Sequence, residues 1–250
     1  MPSAIDRGFW FSWHDLPSEG RDEHLAWLHT TYIPKILKHP GVLWAAHFRT
    51  ILTAPGDHMH RTKDASVPNG GDYVLVFGGE STAVFTKGRA FFEGKAPSKI
   101  ESDLTADDTK MLSMRRGERQ VLLTEEIRVH GPDRGPDSDM MKPGPYIQCG
   151  SFNCPADSED QLLAWYADFR LPALVPIKEF IGARKLIATS GWVKHGIMYE
   201  FLSRDSRERV QAEVEKRHPD GIAWTKKFIP ALTHAPRSPV LAERIWPPVK

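Results

Sequence analysis

Cysteine is nearly missing from this chain: Cys149 and Cys154 are the only two in 250 residues. A disulfide scaffold is therefore excluded as the source of stability. Five positions apart on one expected strand, the two thiols would point to opposite faces. They read as thiols of a reducing compartment, not as a redox pair or metal ligands. Long apolar runs are missing as well. None reaches the roughly 18 residues that span a bilayer, and the N-terminal residues lack the basic-then-apolar layout of a secretory signal. A cytoplasmic protein with no membrane partner is expected. Net charge is almost nil, because 33 Lys and Arg face 32 Asp and Glu, for a formal +1. That balance gives no footprint for nucleic acid. No G-x-G-x-x-G, P-loop, G-x-S-x-G or Cys–His arrangement occurs, and Gly78-Gly79-Glu80-Ser81 reads only as a turn after a strand.

What the chain does have is eight Trp, eleven His and an internal echo. Both residue types suit pockets that grip flat organic molecules, although Trp is as often plain core. The echo is Leu25-Ala26-Trp27-Leu28-His29-Thr30-Thr31-Tyr32-Ile33-Pro34-Lys35-Ile36, matched by Leu163-Ala164-Trp165-Tyr166-Ala167-Asp168-Phe169-Arg170-Leu171-Pro172-Ala173-Leu174. Leu, Ala, Trp and Pro recur 138 positions apart. That period is too long for a solenoid and indicates one duplicated, domain-sized unit. The copies disagree at Tyr32 against Arg170 and at His29 against Ala167.

Residues 9–16 read as an aromatic-rich strand with Phe9, Phe11 and Trp13 on one face and Trp10, Ser12, His14 and Leu16 on the other. An amphipathic helix follows over 21–37 and should kink at Pro34, before His39-Pro40-Gly41 stops it. Residues 42–49 form a second strand, with Trp44, Ala46 and Phe48 on one face and Ala45, His47 and Arg49 on the other. A long polar connection spans 53–72, then come a strand over 73–77, a helix over 107–116 and a strand over 120–129. Residues 131–145 form a linker rich in Pro, Gly and Asp. The order then repeats, with strands at 146–152, 181–189, 196–202 and 241–246, and helices over 158–178 and 204–217. Each half reads strand, helix, strand, strand, helix, strand, the ferredoxin-like split β-α-β. The fold expected is α+β: two ferredoxin-like β-α-β-β-α-β repeats, residues 1–130 and 146–250, packed sheet to sheet as a dimeric-type α+β barrel within one chain. The space between the sheets is the natural ligand cavity.

Trp27, Tyr32-Ile33-Pro34 and Pro40-Gly41 resemble the helix-and-turn pattern of EthD-like members of the dimeric α+β barrel superfamily. In that pattern a helix carries an aromatic, then His-x-Pro, then a Pro-Gly entering the second strand. The resemblance covers residues 9–50, and residues 146–190 by way of the repeat. It implies that the residue at the His position faces the cavity. Here that residue is Tyr32, and in the second copy Arg170, which implies one working pocket, not two. Relatives include cofactor-free monooxygenases, polyketide cyclases, muconolactone-type isomerases, aldoxime dehydratases and haem-dependent chlorite-dismutase-like proteins. Fold alone does not choose among them.

The catalytic candidates are His14, His47 and Tyr32. A neutral imidazole can take a proton from a substrate hydroxyl or carbon acid, and a phenol can return one or bind a carbonyl oxygen. The bland alternatives are a hydrogen-bonded core histidine and a tyrosine packed between helix and sheet. Trp10 and Trp44 are candidates for gripping a planar substrate, and Arg170 for clamping a carboxylate or phenolate. His58 and His60 fit a lid over the cavity better than a metal site, for want of a third ligand nearby. Haem-binding relatives carry an axial His on a helix of the second half. The helix over 158–178 has none, which leaves His195, His218 and His234, each expected in a loop or turn. The reading is a cofactor-independent acid–base enzyme (lyase, isomerase, cyclase or decarboxylase) acting on a small aromatic or polyketide-like compound. The alternatives are a cofactor-free or haem-assisted monooxygenase and a non-catalytic binder of small aromatics. Whether the chain also forms a homodimer stays open.

Overall fold

In the computed structural model, the residues described are 5–53, 59–86, 99–101, 103–134 and 142–249. Strand β1 (Gly8–Asp15) carries the expected alternation. Phe9, Phe11 and Trp13 enter one apolar cluster, and Trp10 enters another. Two neighbours flank it: β4 (Tyr73–Gly79), with Phe11 opposite Val76, and β5 (Arg116–His130), with Phe11 opposite Val121. Strand β2 (Val42–Thr53) lies beyond β4 and sets Ala46 opposite Val76. Later in the chain, β8 (His195–Phe201) lies between β6 (Tyr146–Asn153) and β7 (Phe180–Ser190). Strand β10 (Val240–Trp246) lies on the far side of β6.

Two seams join these groups. Strand β5 pairs with β7, placing Arg128 opposite Arg184, and β10 pairs with β2, placing Ala242 opposite Thr50. The eight strands thus close in the order β2-β4-β1-β5-β7-β8-β6-β10, every neighbour antiparallel. Closure leaves no sheet edge open to stray pairing. Outside the barrel, the two-residue strands β3 (His60–Arg61) and β9 (Thr233–His234) pair in parallel, and β9 also caps the end of β6. The long connection 53–72 therefore reaches across to the last third of the chain.

The lumen is solid. Phe9, Phe11, Trp13, Trp44, Phe48, Val76, Ile147 and Met198 meet there from strands of both seams, each nearly inaccessible. Burying a side chain of this size contributes about 1.5–3 kcal/mol. Charged groups close both ends. Arg184 reaches Glu200 at 3.2 Å and Asp6 at 3.4 Å, with its guanidinium 5.5 Å from the Phe9 ring and 5.7 Å from Trp44. At the other end the Arg119 guanidinium lies 4.0 Å over Trp13 and donates to Ser151 Oγ at 3.0 Å. The inter-sheet space expected to hold a ligand is filled, because both sheets send their bulkiest residues into it.

Helices cover the outside. The first copy of the Trp-and-Pro stretch is α1 (Arg21–Trp27), a π-helical turn (Leu28–Tyr32) and α2 (Ile33–Ile36). The second is α4 (Glu159–Ala164), a π turn (Trp165–Arg170) and α5 (Leu171–Leu174). The expected proline kink is replaced by a widened turn in both. Ile33 N–H bonds to Leu28 O, and Leu171 N–H bonds to Tyr166 O, five residues back. Pro34 and Pro172 lack the donor, and their rings would crowd the carbonyl four residues earlier. A single π turn absorbs both problems. Gly41, at φ +83°, makes the turn into β2 that the sequence anticipates. Helix α3 (Ala106–Leu112) opens on a Thr105–Asp108 capping box and is shorter than expected, since Arg116 onward is already β5. Helix α6 (Arg204–Arg217) is capped by Ser203, and α7 (Pro219–Phe228) follows.

Candidate functional site

Strand alternation sends Trp10, Ser12 and His14 out of the lumen toward α1 and its π turn, and His47 joins them from β2. Imidazoles gather there. The His14 and His47 rings lie 6.0 Å apart and nearly parallel, with Tyr73 at 5.8 and 5.4 Å from them and His24 6.3 Å from His14. His47 Nδ1 shares a hydrogen bond of 2.9 Å with His29 Nε2. His14 Nδ1 lies 3.3 Å from Ser12 Oγ, whose hydroxyl donates to Glu118 Oε1 at 2.5 Å. The Nε2 atoms of His14, His24 and His47 are buried with no hydrogen-bond partner. Burial, reinforced by the cation of Arg115, holds His14 well below its ordinary value and His24 at about 4. Burial, then His29, does the same to His47.

Of the three catalytic candidates from sequence, His14 and His47 therefore lie side by side. Tyr32 stands apart from them. Its hydroxyl donates to Glu101 Oε1 at 2.7 Å, its ring packs against Trp27 and Phe77, and burial followed by Glu101 pushes its phenol well above the usual value. Trp10 stacks on Phe77 at 5.4 Å under the helix. Trp44 belongs to the lumen and donates from Nε1 to Asp6 at 2.8 Å. His60 is exposed, near Thr233 Oγ1 at 3.2 Å. His58 lies outside the described residues.

A cavity of about 650 Å³ opens on the outer face of the later strands, between β6, β8 and the helices over them. Its residues align with the first half at the same spacing of 138. Where the first half has Trp10, Ser12 and Tyr32, this wall has Gln148, Gly150 and Arg170. Facing Trp10 across the ladder is Phe77; facing Gln148 is Tyr199. Gln148 and Gly150 are smaller than Trp10 and Ser12, and the cavity lies over them; Arg170 and Tyr199 are more polar than Tyr32 and Phe77. Most of its wall is apolar: Phe152, Trp165, Ile197, Ile229 and Leu232, with Met59 reaching in beside β3.

The polar groups are few and specific. Arg170 donates from Nε to Tyr199 Oη at 3.3 Å and from Nη2 to Gln211 Oε1 at 3.0 Å, with its guanidinium 5.1 Å from the Tyr199 ring centre. These bonds aim the guanidinium along the wall and leave Nη1 uncommitted among the described residues. His234 is the one imidazole on the described wall. It lies against Phe152 at 5.5 Å, 4% exposed, and hydrogen-bonds the His60 backbone. Its Nδ1 is buried with no partner, and burial lowers its pKa to about 4, so the ring is neutral at pH 7.

His234 was not among the catalytic candidates from sequence, which placed it in a loop. The missing signal was its pairing with His60–Arg61, a contact 173 residues apart that no local pattern shows. Among the described residues no three His, Cys, Asp or Glu side chains are placed to hold a metal ion. His234 is the one described imidazole on this wall, since α4, α5 and the π turn between them carry no histidine. Cys149, buried in the lumen, is pushed up to about 12 by desolvation and is no nucleophile there. No described helix is long and apolar enough to cross a membrane.

No protein-family model matches the chain, and no curated protein matches it in sequence. Solved structures do match in fold. The "Putative monooxygenase" of Fusobacterium nucleatum subsp. nucleatum superposes with a TM-score of 0.57 at 9% identity, over 97% of this chain and 95% of that one. An "anthrone oxidase-like protein" gives 0.59 at 9% identity over 96% and 92%, and a "Putative Chlorite dismutase" gives 0.56 at 10% over 96% and 95%. All are dimeric α+β barrels. At these identities the likeness shows the fold, which is an α+β protein with an eight-stranded antiparallel barrel.

Proposed function

We propose that the chain is an enzyme of small-molecule metabolism that removes a proton from a weakly acidic, largely apolar compound bound in the second-half cavity. The observation that carries this reading is the pairing of Arg170 with His234 in one apolar hollow. A neutral imidazole with an unpartnered nitrogen can accept a proton, and a guanidinium held by Tyr199 and Gln211 can receive the resulting oxyanion. The substrate class is a phenol or an enolisable ketone, because both convert a lost proton into charge on oxygen. Phe152, Trp165 and Ile197 supply the apolar contact that a planar ring needs. His14 and His47 are favoured less for this role because they line none of the cavities described.

The names of the structural neighbours favour a second, oxidative reading in which the deprotonated compound goes on to react with dioxygen. Both readings share the deprotonation. Anthrone, a carbon acid that ionises to an oxyanion, distinguishes them. Under argon in deuterated buffer, the wild type should speed exchange of its methylene hydrogens, followed by NMR. His234→Gln should lose on the order of a hundred- to ten-thousand-fold of that rate, the usual contribution of a positioned base. Full exchange in His234→Gln would reject the assignment. Oxygen uptake when air is admitted would select the oxidative reading.

We further read the chain as two fused ferredoxin-like halves, 1–130 and 146–250. Supporting this are the repeated order second-third-first-fourth strand on each side of the barrel and the identical placement of both π turns.

A further inference from the structure

A second hollow, of about 200 Å³, lies between β7, β8 and α4 and is separate from the Arg170 cavity. On its wall is Lys185, 1% exposed, the residue that stands 138 positions after His47. Lysine is almost never buried to this degree without a reason. Its Nζ lies 2.9 Å from Glu126 Oε2, 3.2 Å from the Leu186 carbonyl and 3.1 Å from His195 Nδ1, with the Tyr166 ring centre at 5.5 Å. On the other side of the imidazole, His195 Nε2 faces Glu159 Oε1 at 3.6 Å. An amine, an imidazole within hydrogen-bond reach and a carboxylate behind it form the arrangement of an activated nucleophile. A structural ion pair would need only Glu126. The imidazole, the second carboxylate and the hollow on whose wall the lysine lies are left over from that explanation.

We infer that Lys185, served by His195 and Glu159, is a nucleophilic lysine that condenses with small carbonyl compounds to form an imine. The volume limits the partner to a few heavy atoms. Lys194, on the same wall and paired with Glu159, adds a cation suited to a carboxylate, so a short 2-oxo acid such as glyoxylate fits. The uncharged amine adds to the carbonyl carbon. One proton then passes from nitrogen to the carbinolamine oxygen by way of His195 Nδ1, water leaves, and the C=N bond forms; amine plus carbonyl gives imine plus water. Burial, opposed by Glu126, lowers the ammonium pKa below that of an ordinary lysine, and burial keeps His195 neutral with a pKa of about 4. The other groups facing this amine are Cys154 at the end of β6 and Glu159 and Asp160 at the start of α4.

The test is glyoxylate with cyanoborohydride at pH 7, which delivers hydride to the iminium carbon and fixes the adduct, followed by peptide mass spectrometry with residue-resolved rates. Lys185 should be labelled at least tenfold faster than the exposed Lys216 and Lys227 in the same sample. His195→Gln should slow Lys185 at least tenfold and leave Lys227 unchanged. Labelling of Lys185 no faster than Lys227 in the wild type overturns the inference, whatever the variant does. Equal Lys185 rates in wild type and a folded His195→Gln would remove His195 from the scheme.

Discussion

In the function proposed, Arg170 holds the anion and His234 takes the proton, so removing each should have a different effect. Arg170→Gln should weaken an anionic ligand by about 1.5–3 kcal/mol, the range for a hydrogen bond to a charged group, while the apolar contacts persist. His234→Gln should leave binding nearly unchanged and depress turnover. Steady-state kinetics on one substrate separates them as a KM effect against a kcat effect. The buried imidazoles of the other half make a different prediction. His14, His24 and His47 have pKa values lowered in the folded protein. The unfolded chain therefore binds their protons first. Their stability contribution is intact above the unfolded value near 6.5 and is lost as pH falls from there toward about 4, the folded value of His24. Each proton adds a slope of about 1.4 kcal/mol per pH unit. Urea melts at pH 7, 6 and 5 should show falling stability, and His24→Gln should flatten the fall; a pH-independent midpoint would refute it. His14 and His47 were legible as candidates because strand alternation puts Ser12 and His14 on one face and His47 on the face opposite Trp44, Ala46 and Phe48; His24 was not. Their tautomers and neutrality were not, since those depend on Glu118, Met111 and Arg115, far along the chain.

At the scale of elements, the two Trp-and-Pro helices are the same device on two different floors. One rests on Trp10, Phe77 and Tyr32 and is filled; the other spans Gln148, Tyr199 and Arg170 and is hollow. Trp10→Ala should cost about 3–5 kcal/mol by emptying the filled face. Gln148→Trp should block the hollow face, abolishing ligand binding while the far-UV circular dichroism spectrum and the fold are kept; retained affinity would contradict this division. The eight barrel strands, the stop at Gly41 and the Tyr32/Arg170 disagreement could be read from local pattern; the two-residue strands β3 and β9 and helix α7 could not. The π turns could not, because a proline in a helix predicts only a break and the choice of relief depends on packing. Nor could the placement of the ligand cavity. Period-two alternation says that a strand has two faces, but which face is core and which holds space depends on how eight strands close.

For the whole molecule, closure through β5–β7 and β10–β2 makes the lumen common property. Arg184 near one seam reaches Asp6 from the start of the chain and Glu200 from β8, all three almost wholly buried. Arg184→Met would leave Asp6 paired with Arg128 at 2.8 Å and Glu200 with Arg134 at 2.6 Å, so it should cost less than the roughly 3–5 kcal/mol of a buried charge left alone. Tryptophan fluorescence and far-UV circular dichroism should report one coincident unfolding transition, as a shared core requires. Separate transitions would mean that the halves are energetically independent.

We place the small-molecule site in the hollow beside Arg170 and not on the histidine-rich face. Isothermal titration with 2-naphthoate, a stable planar mimic of the deprotonated substrate, tests this most directly in the wild type, Arg170→Gln and His14→Gln. Arg170→Gln should raise Kd tenfold or more, a loss of about 1.4 kcal/mol, and His14→Gln should leave it unchanged. An unaltered Kd in Arg170→Gln, or a lost one in folded His14→Gln, would contradict the account.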